Sequence, residues 1–241
     1  EVNGVEKALR ACYKAKCEPV YMRQLVDARI NSPKESPVWR WHTTPSVQVT
    51  GKTKQGTPVV VYAHVPNFFS KPNNVTKVVN EGLTNGAGKM PLREFYKLLD
   101  LEDKQNVFVV DYTKLKNSPS GVIEVARALE HPQTVSFLGG QVRAEQYLAK
   151  HQQVYNTSKI GVWHYDDLLL DQPLGRVLFL GGSRNSDLSA DYNLYGLGRF
   201  LGVRRRGANG VSIAPVAQAR ENPGLDDIMK SVKNALEPLY R

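Results

Sequence analysis

The sequence predicts an α/β protein: a largely parallel, mixed central sheet flanked by helices, with an N-terminal helical segment and a β-hairpin. Three observations carry this. Short apolar runs alternate with segments of helical period between Val107 and Trp163, the pattern of repeated βαβ units. The run Val59 to Val65 is almost wholly apolar, as a strand buried on both faces must be. Leu225, Ile228, Met229, Val232, Leu236 and Leu239 form one stripe at helical spacing behind Pro223, an amphipathic closing helix.

The elements follow in chain order. Val5, Ala8, Leu9 and Cys12 recur on one helical face, and a second helix is expected to open at Pro19, a residue suited to the first turn. Asn31 to Pro45, with three prolines and the cluster Trp39-Arg40-Trp41-His42, reads as an extended connection. If buried, that cluster is an aromatic latch tying the helices to the sheet. Val47 and Val49 alternate with polar residues, and Gly51 to Gly56 turns this strand back into Val59 to Val65 as a hairpin. A helix around Val75 to Leu83, a turn at Asn85 to Gly88 and a helix opened by Pro91, burying Leu92, Phe95 and Leu99, come next. Strand Val107 to Val110, helix Val122 to Leu129, strand Thr134 to Leu138, helix Ala144 to His151 and strand Ile160 to Trp163 then alternate. Strand Arg176 to Leu180 follows a loop, so an antiparallel or distant place in the sheet suits it. Residues 1–45 are read as the helical segment and its connection, and 46–241 as a single α/β unit.

The chain of 241 residues carries 32 Lys and Arg against 23 Asp and Glu, a net charge of +9. That excess favours an anionic partner, a nucleotide or nucleic acid above others. No run of apolar residues is long enough to span a membrane. The lack of an apolar leader favours a cytoplasmic location, while the start at Glu1 leaves a trimmed segment open. Cys12 and Cys17 are the only cysteines, so no disulfide framework exists. On one continuous helix their side chains would point apart, and a bridge would require the helix to break near Glu18-Pro19.

Ligands of open α/β sheets bind beyond the carboxyl ends of strands. The residues placed there are Asp111, the pair Gly139-Gly140, the run His164-Tyr165-Asp166-Asp167 and the run Gly181-Gly182-Ser183-Arg184. Asp111, His164, Asp166 and Asp167 are the catalytic candidates, as acid, base or divalent-metal ligands, against the simpler role of caps and loop residues. Gly181, Gly182, Ser183 and Arg184 are expected to cradle a phosphate, with Arg199, Arg204 and Arg206 as further anion contacts beside Tyr192, Tyr195 and Phe200. Arg204 and Arg206 share one face of a strand, Arg205 the other. No spacing names a cofactor or metal, and neither a Walker loop nor a dinucleotide fingerprint is present.

The expectation is therefore a protein that binds a phosphate-bearing ligand, nucleotide or nucleic acid, with hydrolase or transferase chemistry left open. A non-catalytic nucleic-acid-binding module, or a self-associating assembly or surface protein, are the alternatives.

Overall fold

A computed structural model describes residues 2–166, 172–183 and 187–204. Strand β1 (Val2–Asn3) leads into helix α1 (Val5–Lys14), then β2 (Cys17–Pro19) and α2 (Met22–Ile30). The second helix does not open at Pro19. Residues 17–19 are extended because they pair with a late strand, and the Val20 amide donates to the Leu201 carbonyl at 2.8 Å. Instead α2 begins after Tyr21, whose amide is capped by the Gln24 side chain at 2.9 Å.

A 3-10 turn at Pro37–Trp39 precedes the hairpin β3 (His42–Lys52) and β4 (Pro58–Ala63), antiparallel as the alternation predicts. After a second 3-10 turn at Phe68–Ser70 come α3 (Pro72–Glu81), β5 (Gly88–Lys89), α4 (Leu92–Asp100) and β6 (Val107–Asp111). Helix α4 buries Phe95 and Leu98, while Leu92 is exposed.

The middle of the chain departs from expectation. It runs α5 (Tyr112–Lys116), β7 (Gly121–Glu124), α6 (Val125–Leu129), α7 (Pro132–Leu138), α8 (Gln141–Tyr155) and β8 (Lys159–His164). Thr134 to Leu138 is helix, not strand. Pro132 presets the first turn and Gly139, at φ 85°, ends it in the left-handed region, while five residues of this short helix are buried. Burial around most of its circumference erased the periodicity that distinguishes a helix from a buried strand.

The chain continues through β9 (Leu174–Leu180), β10 (Asp187–Ala190), β11 (Leu197–Gly198) and β12 (Gly202–Arg204). The main sheet has the order β6-β4-β3-β9-β10-β8-β7, with β5 also on β9. Among the described residues only β8 and β10 run parallel, and every other pair is antiparallel. The largely parallel sheet is thus corrected to a mixed, mainly antiparallel one. Helices between strands do not guarantee parallel crossovers: α5, α6, α7 and α8 pack over one face while β7 returns beside β8 at the sheet's edge. The stripe at Leu225 to Leu239 lies outside the described residues.

Two cores flank the sheet. Val60 and Tyr62 of β4 face α2, α7 and α8, while Val59, Val61 and Ala63 face α1, α3 and α4. Both N-terminal helices therefore contribute to the packing of the sheet, and β1 and β2 pair with β11 and β12. Trp39 is the latch its aromatic area implies: it is buried, stacks on Tyr147 at 6.2 Å and lies against the buried Arg29. Among the described residues Arg29 meets no carboxylate. It donates to the carbonyls of Val38 (2.8 Å), Arg40 (2.7 Å) and Leu180 (3.3 Å) and to the Tyr147 hydroxyl (3.0 Å), which offsets the cost of burying its charge.

Candidate ligand-binding cleft

The structure gives Asp111, His164 and Asp166, which the sequence placed together, local partners of their own. Asp111 ends β6 as the N-cap of α5. Its carboxylate accepts from the Thr113 hydroxyl and from the Thr113 amide at 2.7 Å, and these bonds hold it below the usual carboxylate range. His164 ends β8, five places from β6 in the sheet order, although α5, which Asp111 caps, reaches back to the end of β8. Its ring is half-buried, and burial pushes its pKa down despite the Asp166 carboxylate and a bond to the Leu115 carbonyl. Asp166 is exposed, and its main-chain carbonyl accepts from the Tyr112 hydroxyl. Among the described residues no three His, Cys, Asp or Glu side chains are grouped to hold a metal. Asp167, Arg184 and Arg206 lie outside the described residues, as does Arg205, and Arg204 is described only as the β12 partner of Cys17.

The glycine turns serve the chain's own packing. A Cβ on Gly182 would lie 2.4 Å from the Trp41 amide nitrogen and 2.7 Å from the Trp39 carbonyl oxygen. The strand end therefore presses directly against the backbone of residues 39–41, and Gly181 is buried beside it. Gly139 and Gly140 end α7 and open α8. Ser183 is exposed. The Arg199 guanidinium, expected on a phosphate, lies 4.2 Å from the centre of the Trp41 ring, a cation–π contact. Trp41 stacks on Phe179 at 5.6 Å and Phe179 on Tyr192 at 4.9 Å, so four half-buried side chains form one ladder across the start of β3 and the end of β9.

Beside the ladder lies a cleft of about 720 Å³ lined by Val79, Leu83, Asn85, Gly86, Tyr165, Asn193 and Tyr195. None of these side chains is charged. One wall is a tight turn: Thr84 and Ala87 exchange both backbone bonds, while Asn85 (φ 48°) and Gly86 (φ 84°) occupy the left-handed region. That is the Asn-Gly geometry of a two-residue hairpin loop. Glycine is needed at 86 for a second reason, because a Cβ there would sit 1.6 Å from the Asn193 side-chain oxygen. The facing wall is the segment after β10, where Leu194 donates its amide to the Gly86 carbonyl at 3.1 Å and Asn193 donates to the Tyr195 hydroxyl at 3.2 Å.

Arg176 ties the walls together. It is 3% exposed in the middle of β9. Its guanidinium donates to the carbonyl of Asn85 and, at 3.2 Å, to that of Asp191, and lies 4.4 Å from the centre of the Tyr165 ring. Gln48, beside Arg176 in the sheet, holds the Tyr165 carbonyl at 3.0 Å. Tyr165 and Tyr195 are themselves exposed, at 44% and 61%. Arg176, Asn85 and Asn193 were not anticipated as site residues. An arginine within the apolar run Leu174 to Leu180 was the available signal, since a charge is buried in a strand only where partners wait for it.

No family model and no curated protein matches the sequence. A solved structure does, one described as the accommodation of massive sequence variation in Nanoarchaeota by the C-type lectin fold. It is 50% identical, with a TM-score of 0.75, over 83% of this chain and 91% of that chain. The chain belongs to this family of C-type lectin-fold proteins. That membership overturns the expected phosphate ligand and with it the nucleotide or nucleic-acid partner. The geometry explains the error, because the Gly-Gly turn meets the chain's own backbone and Arg199 meets Trp41.

Proposed function

We propose that the chain is a recognition protein that binds a neutral ligand, rich in hydroxyl and amide groups, in the cleft between the Asn85-Gly86 turn, Tyr165 and the segment Asn193 to Tyr195. The observation that carries this is the pairing of an uncharged lining with two exposed tyrosines above the buried Arg176, which holds the Asn85 and Asp191 carbonyls and lies against the Tyr165 ring. Two tyrosine faces offer amphipathic area at little entropic cost, and two asparagine amides offer both donors and acceptors. The related structure's description, sequence variation accommodated by the fold, supports the same reading. Arg176 grips Asn85 and Asp191 by their carbonyls, so the side chain at Asn85 can change without loosening that hold.

The test is an array carrying neutral glycans, neutral peptides and, as the opposing arm, polyanions. Binding to neutral members that is insensitive to salt and lost in both Tyr165→Ala and Tyr195→Ala, at an unchanged thermal midpoint, is the expected result. Binding confined to polyanions, or unaffected by either substitution, overturns the proposal.

A further inference from the structure

Cys12 and Cys17 do not point apart. Helix α1 ends at Lys14, with Ala15 as its cap and Lys16 in the left-handed region at φ 57°; the Lys16 amide donates to the Tyr13 carbonyl at 2.9 Å. This is the helix-ending turn in which the residue one beyond the left-handed position folds back onto the residue four before that position. Here those two residues are Cys17 and Cys12. The Cys12 thiol donates to the Cys17 carbonyl at 3.7 Å, and both thiols are free. Close to both in β12, where it pairs with Pro19, stands Gly202. A Cβ there would lie 2.9 Å from the Cys12 sulfur, 3.5 Å from the Cys17 sulfur and 2.7 Å from the Cys17 Cβ. Both sulfurs thus occupy one small space that any side chain at 202 would close.

We propose that Cys12 and Cys17 are a reversible disulfide site, oxidised by a small-molecule disulfide such as oxidised glutathione, and that the bridge fastens β2, and with it the β2–β12 pairing, to the end of α1. The Cys17 thiolate attacks one sulfur of the oxidant, forming a mixed disulfide and expelling one glutathione thiolate. Cys12 then loses its proton to solvent and attacks the Cys17 sulfur, expelling the second. Two electrons pass to the oxidant, which leaves as two molecules of reduced glutathione. Burial pushes the Cys12 thiol up to about 11, so the second step is the slow one at neutral pH and quickens roughly tenfold per pH unit between about 7 and 9.

The experiment equilibrates the native chain in mixtures of reduced and oxidised glutathione, quenches by alkylation and reads the intact mass. The expected product is a monomer lighter by two hydrogens that takes no alkylating label. Its thermal midpoint should lie roughly 2–8 °C higher, with the rise absent from Cys12→Ser and Cys17→Ser. Two alkylated thiols at the most oxidising ratio, an unresolved mixed disulfide at Cys17, or a disulfide-linked dimer would each overturn the proposal.

Discussion

Arg176 and Gly182 hold the cleft and the ladder in place through main-chain contacts, and each makes a distinct demand on the sequence. Replacing Arg176 by alanine leaves the Asn85 and Asp191 carbonyls without that donor and removes the support under Tyr165. A loss of about 2–4 kcal/mol in urea unfolding is expected. Arg176→Lys should recover little of it, because an ammonium cannot span two divergent carbonyls as a fork does. Gly182→Ala forces the backbone at 39–41 to move, with an expected cost of about 1–3 kcal/mol by the same measurement. It should also disturb the Arg199–Trp41 contact, visible as a change in tryptophan fluorescence. The need for glycine at this strand end was legible in the sequence, but its reason was not. A Gly-Gly pair reads alike whether a phosphate or the chain's own backbone fills the space, and only the fold says which. Arg199 misled in the same way, since a guanidinium suits an indole face as well as it suits a phosphate.

At the scale of elements, buried histidines couple the strands to acid. His42 in β3 and His64 after β4 are held at about 4 by burial, and burial also lowers His151 in α8 and His164 in β8. His64 bridges two layers: its ring nitrogens meet the Ser46 hydroxyl at 3.1 Å and the Ser136 carbonyl at 2.9 Å. Ser46 in turn accepts the Met22 amide at 2.8 Å. The carbonyl needs a donor, so Nε2 carries the proton and the ring is neutral. At His42 and His64 the unfolded chain binds protons near pH 6.5 whereas the folded one does so near 4. Stability is therefore complete above about 6.5 and falls as the pH drops towards 4, at about 1.4 kcal/mol per pH unit for each such histidine. Urea midpoints measured across that window check it, and His64→Gln should flatten the slope. Tyr165 and Tyr195 on the cleft, and Ser183 and Leu197 elsewhere, are exposed, so variants at these four positions are expected to keep thermal midpoints within about 3 °C of the parent.

Helices with one buried face, such as α1 and α8, were readable because their periods are intact, and the β3–β4 hairpin was readable from its apolar runs and the glycine turn between them. The α7 helix and the antiparallel order of the sheet were not. Burial removes the period of the first, and nothing in a strand's own composition names its neighbour.

For the whole molecule, the alternation of β4 between the two cores has a consequence for cooperativity. Val60 and Tyr62 cannot leave one core without dragging Val59, Val61 and Ala63 from the other. Tryptophan fluorescence, which reports on Trp39 in one core, and far-ultraviolet circular dichroism, which reports on all helices, should give coincident denaturation curves. Separated midpoints would show that the cores melt independently.

The seam between β3 and β9 bears on how the protein is made. It joins His42 to Leu180 and Thr50 to Leu174, so the middle of the sheet is stitched from segments separated by more than half the chain. During synthesis the β3–β4 hairpin emerges long before β9 exists and waits with one open edge of unpaired amides and carbonyls, the kind of edge that recruits foreign strands. Folding of this sheet is consequently a late and slow event, and the interval before β9 arrives is when the nascent chain is most exposed to aggregation.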